Sequence, residues 1–577
     1  MNQNAENSAV NDAVHDRFLS RVWKLITPYW RSEEKVGAWA LLLTVIGLSL
    51  ISVAMSVWFN SWNRDFYNAL EHKNYDAFVH LILYFCGIAV VAIIAGVFRT
   101  YLTQMLTIRW RRWLTEKHFA KWLAHKNYYQ LEQRGTTDNP DQRLSEDLNS
   151  FTSDTLSLGL GFIRNLVSLV SFSVILWGVS GSIEVLGISI PGYMFWAALF
   201  YALVGSWITH VIGRRLIGLS NQQQRFEADL RFSLVRVREN AESIALFDGE
   251  DNENQRLSQR FGRVWNNYWD MMRVQKRMSF FTSGYSQIAN VFPFIVAAPR
   301  YFSGKIDLGS LMQISQAFGN VQESLSWFID AYVSLASWRA TCDRLLSFRA
   351  VMDRNEERVG GVTVVQQGQA LKVADLSLNL ASGQSLLSGA ALDVASGERV
   401  LLSGRSGSGK STLLRALGNL WPAGKGDIQV PAQRTLFLPQ KPYLPIGSLR
   451  EALSYPQPGD TYSAERYEDV LHACRLDALI ERLDESNHWQ RLLSPGEQQR
   501  LAFARALLFA PKWLYMDEAT SAMDEEDEAV LYQALIDRLP GLTMLSVGHR
   551  SSLKRFHTRQ VRIEDGRLLA LPETVAT

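Results

Sequence analysis

The chain of 577 residues is predicted to fuse an α-helical membrane domain of six transmembrane helices to an α/β phosphate-loop nucleotide-binding domain. Three observations predict this. Segments near 36–59, 78–101, 157–179, 191–213, 279–302 and 308–337 are long enough for the roughly 20 mainly apolar residues a helix needs to cross a bilayer. Residues 404–412, GRSGSGKST, fit the phosphate-loop spacing and lie between an apolar strand-like run, Arg399–Leu402, and a helix-like run, Thr412–Leu417. Beyond residue 370, apolar runs alternate with helical patterns, as an α/β domain requires.

Composition narrows the class. A formal net charge of +2 gives no reason to expect nucleic acid as a partner. Mean hydropathy near zero is high for a wholly soluble protein. Cys86, Cys342 and Cys474 lie far apart, so neither a disulfide frame nor a zinc site is expected. The first sixteen residues are polar and lack an apolar core, so no cleaved signal peptide is expected.

Residues 1–35 read as a cytoplasmic N-terminus with an interfacial helix. Phe18, Val22, Leu25, Ile26 and Tyr29 share one face, with Arg17, Arg21 and Lys24 largely elsewhere. The membrane domain occupies 36–349. Its third span carries Arg164, its fifth Pro293 and Pro299, and its sixth is interrupted by glutamines, asparagine and acids. A buried soluble helix would tolerate that last pattern equally. The sixth is counted as a span because an even number returns the chain to the side of the nucleotide domain. The stretches 103–154 and 214–278 are rich in Arg and Lys, whereas 60–77 and 180–190 hold only Arg64 and Lys73, which places the long stretches in the cytoplasm. Both read as helical extensions of the spans, each with a short element that meets the nucleotide domain: Thr137–Arg143 for one and 239–249 for the other. Solvated charged loops are the alternative. Polar groups within hydrocarbon usually face a bundle interior or an aqueous cavity, which makes Arg164, Gln316, Asn320, Glu323 and Asp330 candidates for a substrate pathway. Snorkelling is the alternative for Arg164, and an interfacial position for Asp330.

Residues 350–370 lose apolar content and read as a linker to a nucleotide-binding domain over 371–577. In the phosphate loop, Gly404, Gly407 and Gly409 let backbone N–H groups converge on phosphate, with Ser406 and Thr412 beside them. Lys410 can reach the β- and γ-phosphates, and the Ser411 hydroxyl can ligate Mg²⁺. Trp513–Asp517 is an apolar strand ending in an acid. Asp517 can hold Mg²⁺, and Glu518 can polarise the attacking water.

Together with these, Leu493-Ser494-Pro495-Gly496-Glu497, Gln440 in FLPQKPYLP, Ser521–Asp524 and His549 in SVGHR make the region 380–550 resemble the ATP-binding cassette of ABC transporters. The resemblance implies ATP and Mg²⁺ as ligands and an exporter-type fold. It implies Glu518, His549 and Gln440 at the catalytic centre, with Gln440 also near the metal. Ser494, Gly496, Glu497 and Asp524 would meet the nucleotide. It also implies a homodimer, because ATP on one phosphate loop is capped by the signature of a second copy. Two departures stand out. Pro495 and Glu497 replace the more common Gly and Gln of the signature, and the usual adenine-stacking position falls near Leu380, which is not aromatic.

TIRWRRWLT, KNYY, DNPDQR, LSWF and FLPQKPYLPIGSLREAL are similar to one bacterial subfamily, which groups cobalamin, bleomycin and antimicrobial-peptide transporters with the peroxisomal fatty-acyl half-transporters. The expectation is an ATP-driven transporter of an unidentified molecule in the bacterial inner membrane. An ATP-gated regulator without cargo is the alternative, and intact Glu518 and His549 favour transport.

Overall fold

The computed structural model describes residues 18–134, 139–185, 188–356, 361–380, 382–421 and 423–571. The chain divides into two compact units: Met1–Lys121 with Asp138–Ala350, and Trp122–Thr137 with Val351–Thr577.

The first unit is built on helices α1 (Phe18–Trp30), α2 (Lys35–Glu71), α3 (Tyr75–Leu123), α5 (Leu148–Ser180), α6 (Tyr193–Glu239), α7 (Glu250–Phe302) and α8 (Leu308–Glu356), with α4 (Asn127–Arg134) belonging to the second unit. A hairpin of β1 (Ser182–Val185) and β2 (Ile188–Pro191) joins α5 to α6. Helix α1 buries Val22, Leu25 and Tyr29, the face its periodicity predicts, and Tyr29 stacks on Trp110 at 5.9 Å. The 49 residues of α3 correspond to roughly 70 Å at 1.5 Å per residue, more than twice a bilayer's ~30 Å hydrocarbon core.

Helices α2, α3, α5 and α6 lie in the segments long and apolar enough to cross a membrane. Large apolar residues such as Leu43, Ile93, Val97, Val174, Phe200 and Trp207 are exposed on them, as a lipid-facing surface requires. The fifth and sixth expected spans fall in α7 and α8, which have the length but not the apolar composition. Their polarity is tolerable where it faces neighbouring helices. Asn60 of α2 donates to the Gln313 carbonyl and to Gln316 Oε1 of α8, both at 3.1 Å, and Asn63 adds a bond to Gln316 at 3.3 Å. The polar sixth segment is thus partly explained as glue between α2 and α8. Helices α6 and α7 form the most extensive helix pair. Their rings Tyr201 and Tyr285 stack at 4.4 Å, each hydroxyl donating to the other residue's carbonyl. Gly205 makes room for this, since a Cβ there would lie 2.2 Å from the Tyr285 ring.

The first of the two connecting elements lies earlier in the chain than expected. The segment that packs with the nucleotide domain is 122–134, several residues before Thr137–Arg143. Lys126 Nζ donates to the Gly418 carbonyl at 2.8 Å, and Asn127 is fully buried. Residues Pro140–Arg143 instead lead into α5 within the membrane unit, and Thr137 and Asp138 lie outside the described residues. The physical reason is a break just after α3 at His125 (φ 50°) and Lys126 (φ 58°), two consecutive left-handed residues that apolar periodicity does not register. The stretch 239–249 forms a short helix, Ala241–Leu246, in the membrane unit, with Leu246 and Phe247 exposed.

Among its described residues the second unit has two larger sheets and a short antiparallel pairing of Gly447–Ser448 with Ser486–Asn487. One contains β3 (Val362–Gln366), β4 (Leu371–Asn379), β5 (Ser385–Val394) and β7 (Gly424–Val430), in the order β3-β7-β4-β5. The other contains β6 (Arg399–Gly404), β8 (Thr435–Leu438), β9 (Trp513–Asp517), β10 (Thr543–Val547), β11 (Arg559–Glu564) and β12 (Arg567–Ala570), in the order β12-β11-β6-β10-β9-β8. Strands β6, β8, β9, β10 and β11 run parallel. Strand β10 is buried along its whole length, Thr543 and Ser546 included, and the apolar run of β9 is buried up to its terminal Asp517, as central strands of a parallel sheet should be. Helices α9 (Lys410–Leu417), α10 (Pro495–Phe509) and α11 (Glu525–Arg538) pack around this sheet.

Candidate nucleotide site

The site forms where β6 and β9 end. After β6 the chain turns through Gly404 (φ 152°), Gly407 (φ 78°) and Gly409 (φ 99°) into α9. Gly404 is required by space as well as conformation, because a Cβ would sit 2.8 Å from the Ile563 carbonyl and 2.9 Å from Ser408 Oγ. Lys410, at the first turn of α9, is 6% exposed. Its ammonium donates to the carbonyls of Gly404 (2.9 Å) and Arg405 (3.0 Å), so it is curled over the loop. Burial draws its pKa down against the opposing pull of Glu518 and Asp517. Ser408 Oγ is buried without a hydrogen-bond partner in the same loop. A cradle of left-handed glycines, a desolvated ammonium and an orphaned hydroxyl fits a phosphate group. Ser406 and Gly407 are exposed at the loop's tip, and Thr412 is buried in α9.

Strand β9 delivers the acids. Ser411 Oγ donates to Asp517 Oδ1 at 3.0 Å, joining the two residues expected at Mg²⁺. Burial raises the Asp517 pKa, the Ser411 bond opposes this, and Glu518 adds to the rise. A divalent cation would reverse that balance, which is the behaviour of a carboxylate set to bind one. Glu518 follows in a left-handed conformation (φ 49°), costly for a side-chain-bearing residue, and its N–H is fixed on the Val547 carbonyl at 3.1 Å. Gln440 Nε2 donates to Glu518 Oε2 at 3.2 Å, and His549 Nε2 lies 3.4 Å from Glu518 Oε1. Three residues more than a hundred positions apart at the extremes thus meet on one carboxylate.

The signature stretch opens α10. Ser494 is its N-cap and Pro495 its first helical residue, which explains the departure at that position: proline lacks only an N–H that a first turn leaves unpaired. Glu497 Oε2 accepts from Ser494 N (2.9 Å) and Ser494 Oγ (2.7 Å), while Glu497 N donates to Ser494 Oγ (3.3 Å). The Ser494 hydroxyl bond holds the Glu497 carboxyl below its usual range. A Cβ on Gly496 would lie 3.1 Å from the Ala522 carbonyl. Asp524, expected to meet nucleotide, caps α11 by accepting from Asp527 N at 2.7 Å. Near the expected adenine position, Leu380 sits in a turn closed by its N–H on the Gln384 carbonyl at 2.8 Å.

Two residues of the site were not singled out from sequence. Gln499, 3% exposed, donates to the Gln440 carbonyl (3.0 Å) and Ser521 Oγ (3.1 Å) and accepts from Ala522 N (2.9 Å), tying α10 to the loops on both sides of Glu518. Glu528, 1% exposed, accepts from Thr520 Oγ1 and Ser552 Oγ, each at 2.7 Å, with Arg550 Nη1 3.5 Å away. It joins the segment after Glu518 to the segment after His549. In the membrane unit, Arg164 lines a cavity with Arg99 and Arg111, whereas Gln316, Asn320, Glu323 and Asp330 do not line it. Asn320 bonds back to the Gln316 carbonyl at 2.9 Å, and Glu323 and Asp330 are exposed.

Comparison with known proteins agrees with this geometry. Residues 24–302 match the family described as ABC transporter transmembrane region 2, and residues 387–521 match the family described as ABC transporter. An Escherichia coli protein named "Inner membrane ABC transporter ATP-binding protein YddA" is 36% identical over 91% of this chain and 94% of its own. The chain belongs to the ABC transporters. The transporter is also similar to the Arabidopsis thaliana "ABC transporter D family member 2, chloroplastic", at 34% identity over 94% of this chain and 86% of that protein. The mouse "Lysosomal cobalamin transporter ABCD4" is 28% identical over 95% of each. In fold it resembles a bacterial Atm1-family ABC exporter solved with ATP bound, at a TM-score of 0.73 and 18% identity over 94% of this chain and 96% of that one. It is a membrane-spanning, ATP-hydrolysing transporter.

Proposed function

We propose that two copies of this chain form a homodimeric half-transporter in the bacterial inner membrane, each phosphate loop facing the other copy's signature helix. The convergence of Gln440 and His549 on Glu518 is the observation that carries the catalytic assignment. ATP phosphates rest on the Gly404–Gly409 backbone, beside Ser406 and Thr412, and Lys410 leaves its loop carbonyls to bind them. Ser411, Asp517 and Gln440 would hold Mg²⁺, which would supply positive charge to neutralise the β- and γ-phosphates. Glu518 orients water and accepts its proton, with His549 and Gln440 fixing that carboxylate. Ser494, Gly496, Glu497 and Asp524 form the opposing face.

Two features support the pairing. A lone chain carries one phosphate loop and one signature, so a capped site needs a second copy. The exposed Leu246 and Phe247 form an apolar tip of the kind that docks on a partner. Closure favoured by ATP and released after hydrolysis biases the membrane helices between two orientations, moving cargo.

Glu518→Gln tests the catalytic assignment. ATP binding is retained while phosphate release falls about 10²–10⁴-fold, the usual contribution of a general base. Near-parental hydrolysis would remove Glu518 from this role.

A further inference from the structure

We propose that the membrane domain of this transporter contains an oxyanion-binding chamber, lined by Arg99, Arg111 and Arg164, whose ligand carries phosphate, carboxylate or sulfonate groups. The inference rests on the transporter reading and names the charge class of what the pathway takes.

The chamber is a cavity of about 500 Å³ walled by α2, α3, α5 and α8. Among the described residues three arginines line it, and no aspartate or glutamate does. Arg99 and Arg164 belong to two of the apolar segments that cross the bilayer, where an arginine is costly and is normally paired with an acid. Among the described residues neither has a carboxylate within ion-pairing distance. Arg111 is only partly engaged, donating to the Ser145 carbonyl at 3.2 Å. The remaining wall adds neutral donors, including the Gln104 amide and the Ser157 hydroxyl, and one aromatic face, Trp327. Gly161 admits that indole, since a Cβ there would come within 2.6 Å of its ring.

Like charges gathered in a low-dielectric setting repel one another, and a ligand of opposite charge relieves both that repulsion and the desolvation of each guanidinium. The planar fork of arginine matches oxyanions in bidentate geometry, with preference over neutral or cationic ligands. Packing alone explains neither the absence of acids nor the convergence of arginines from α3 and α5. Snorkelling explains Arg164 singly but provides no reason for Arg99 and Arg111 to share its cavity.

Two sources could supply such a group, a soluble organic anion or a phospholipid headgroup, and one experiment separates them. The full-length protein is placed in phosphatidylcholine nanodiscs with saturating Mg-ADP, so that the phosphate loop is filled, and titrated with the trisulfonated dye pyranine by fluorescence anisotropy. Saturable binding is expected, weakened at least about tenfold in the Arg99→Gln/Arg164→Gln variant and less in the Arg99→Lys/Arg164→Lys variant, which keeps the charge but not the bidentate fork. Elution profile and melting temperature report whether each variant is folded. Repeating the titration in discs containing phosphatidylglycerol assigns the source: competition that weakens pyranine binding several-fold identifies a headgroup, and no competition identifies a soluble anion. Absence of saturable binding, or equal binding by the Gln pair, overturns the proposal. Parental discs that hydrolyse no ATP would sink the transporter reading instead, whatever pyranine does.

Discussion

Glu528 offers a quantitative test of how the catalytic loops are held. Its carboxylate is 1% exposed and accepts two hydroxyl bonds of 2.7 Å, from Thr520 two residues beyond Glu518 and from Ser552 three beyond His549. Hydrogen bonds to a charged acceptor contribute about 1.5–3 kcal/mol each. In Glu528→Ala the Thr520 hydroxyl, 4% exposed, loses its acceptor outright, whereas the half-buried Ser552 regains part of its hydration. Adding the loss of the ion-pair partner of Arg550 gives a destabilisation of about 3–5 kcal/mol. Glu528→Gln keeps the volume and one acceptor oxygen, so it should cost only about 1–2 kcal/mol. Pulse proteolysis across a urea series, following the cassette fragment on gels, reads both values. Phosphate release should fall in the same order while nucleotide binding persists, since the phosphate loop is untouched. An alanine variant within ~1 kcal/mol of the parent, or a glutamine variant as damaged as the alanine one, would refute the bridging role.

Other outcomes follow from the same contacts. His557 donates from Nδ1 to the Leu553 carbonyl and accepts at Nε2 from Ser546, both at 2.7 Å, and burial lowers its pKa to about 4. The unfolded chain therefore binds a proton near pH 6.5 that the folded one refuses, so cassette stability should fall as pH drops from about 6.5 to 4, by up to ~3 kcal/mol. His557→Gln should flatten that acid limb in urea titrations at several pH values, and an unchanged slope would exclude His557 as its source. Lys410→Ala removes the ammonium proposed to bind the phosphates and should weaken binding of a fluorescent ATP analogue at least about tenfold. Glu497→Gln removes a negative charge from the face proposed to meet a second copy's ATP phosphates. The apparent KM for ATP should fall about fivefold, corresponding to ~1 kcal/mol of relieved repulsion, and an unchanged or raised KM would place that carboxylate away from nucleotide.

What could be read from sequence was what the chemistry of phosphate or of lipid writes locally. Glycines at 404, 407 and 409 report backbone conformation directly, and the acid that ends an apolar strand reports its own position at the sheet's edge. The break at His125 and Lys126 was not legible, because left-handed residues other than glycine leave no compositional trace. Neither was the work of Gln499 and Glu528, whose meaning lies wholly in partners brought by the fold. The polar residues of the sixth segment show the reverse limit. Gln316, a pathway candidate in the sequence, also accepts hydrogen bonds from Asn60 and Asn63, and Arg164, another candidate, lies in a cavity with Arg99 and Arg111, companions that sequence spacing does not bring together.

The central claim is that two chains clamp ATP between a phosphate loop and a partner's signature. It is tested by mixing one population carrying Ser406→Cys with another carrying Ser494→Cys, each also bearing Glu518→Gln and Cys86→Ser to remove the exposed native thiol. Oxidation with Mg-ATP present should produce a covalent species of twice the 65.4 kDa chain mass, absent without nucleotide and absent from either population alone. Equal cross-linking with and without ATP, or none in protein that binds ATP fully, would contradict the claim.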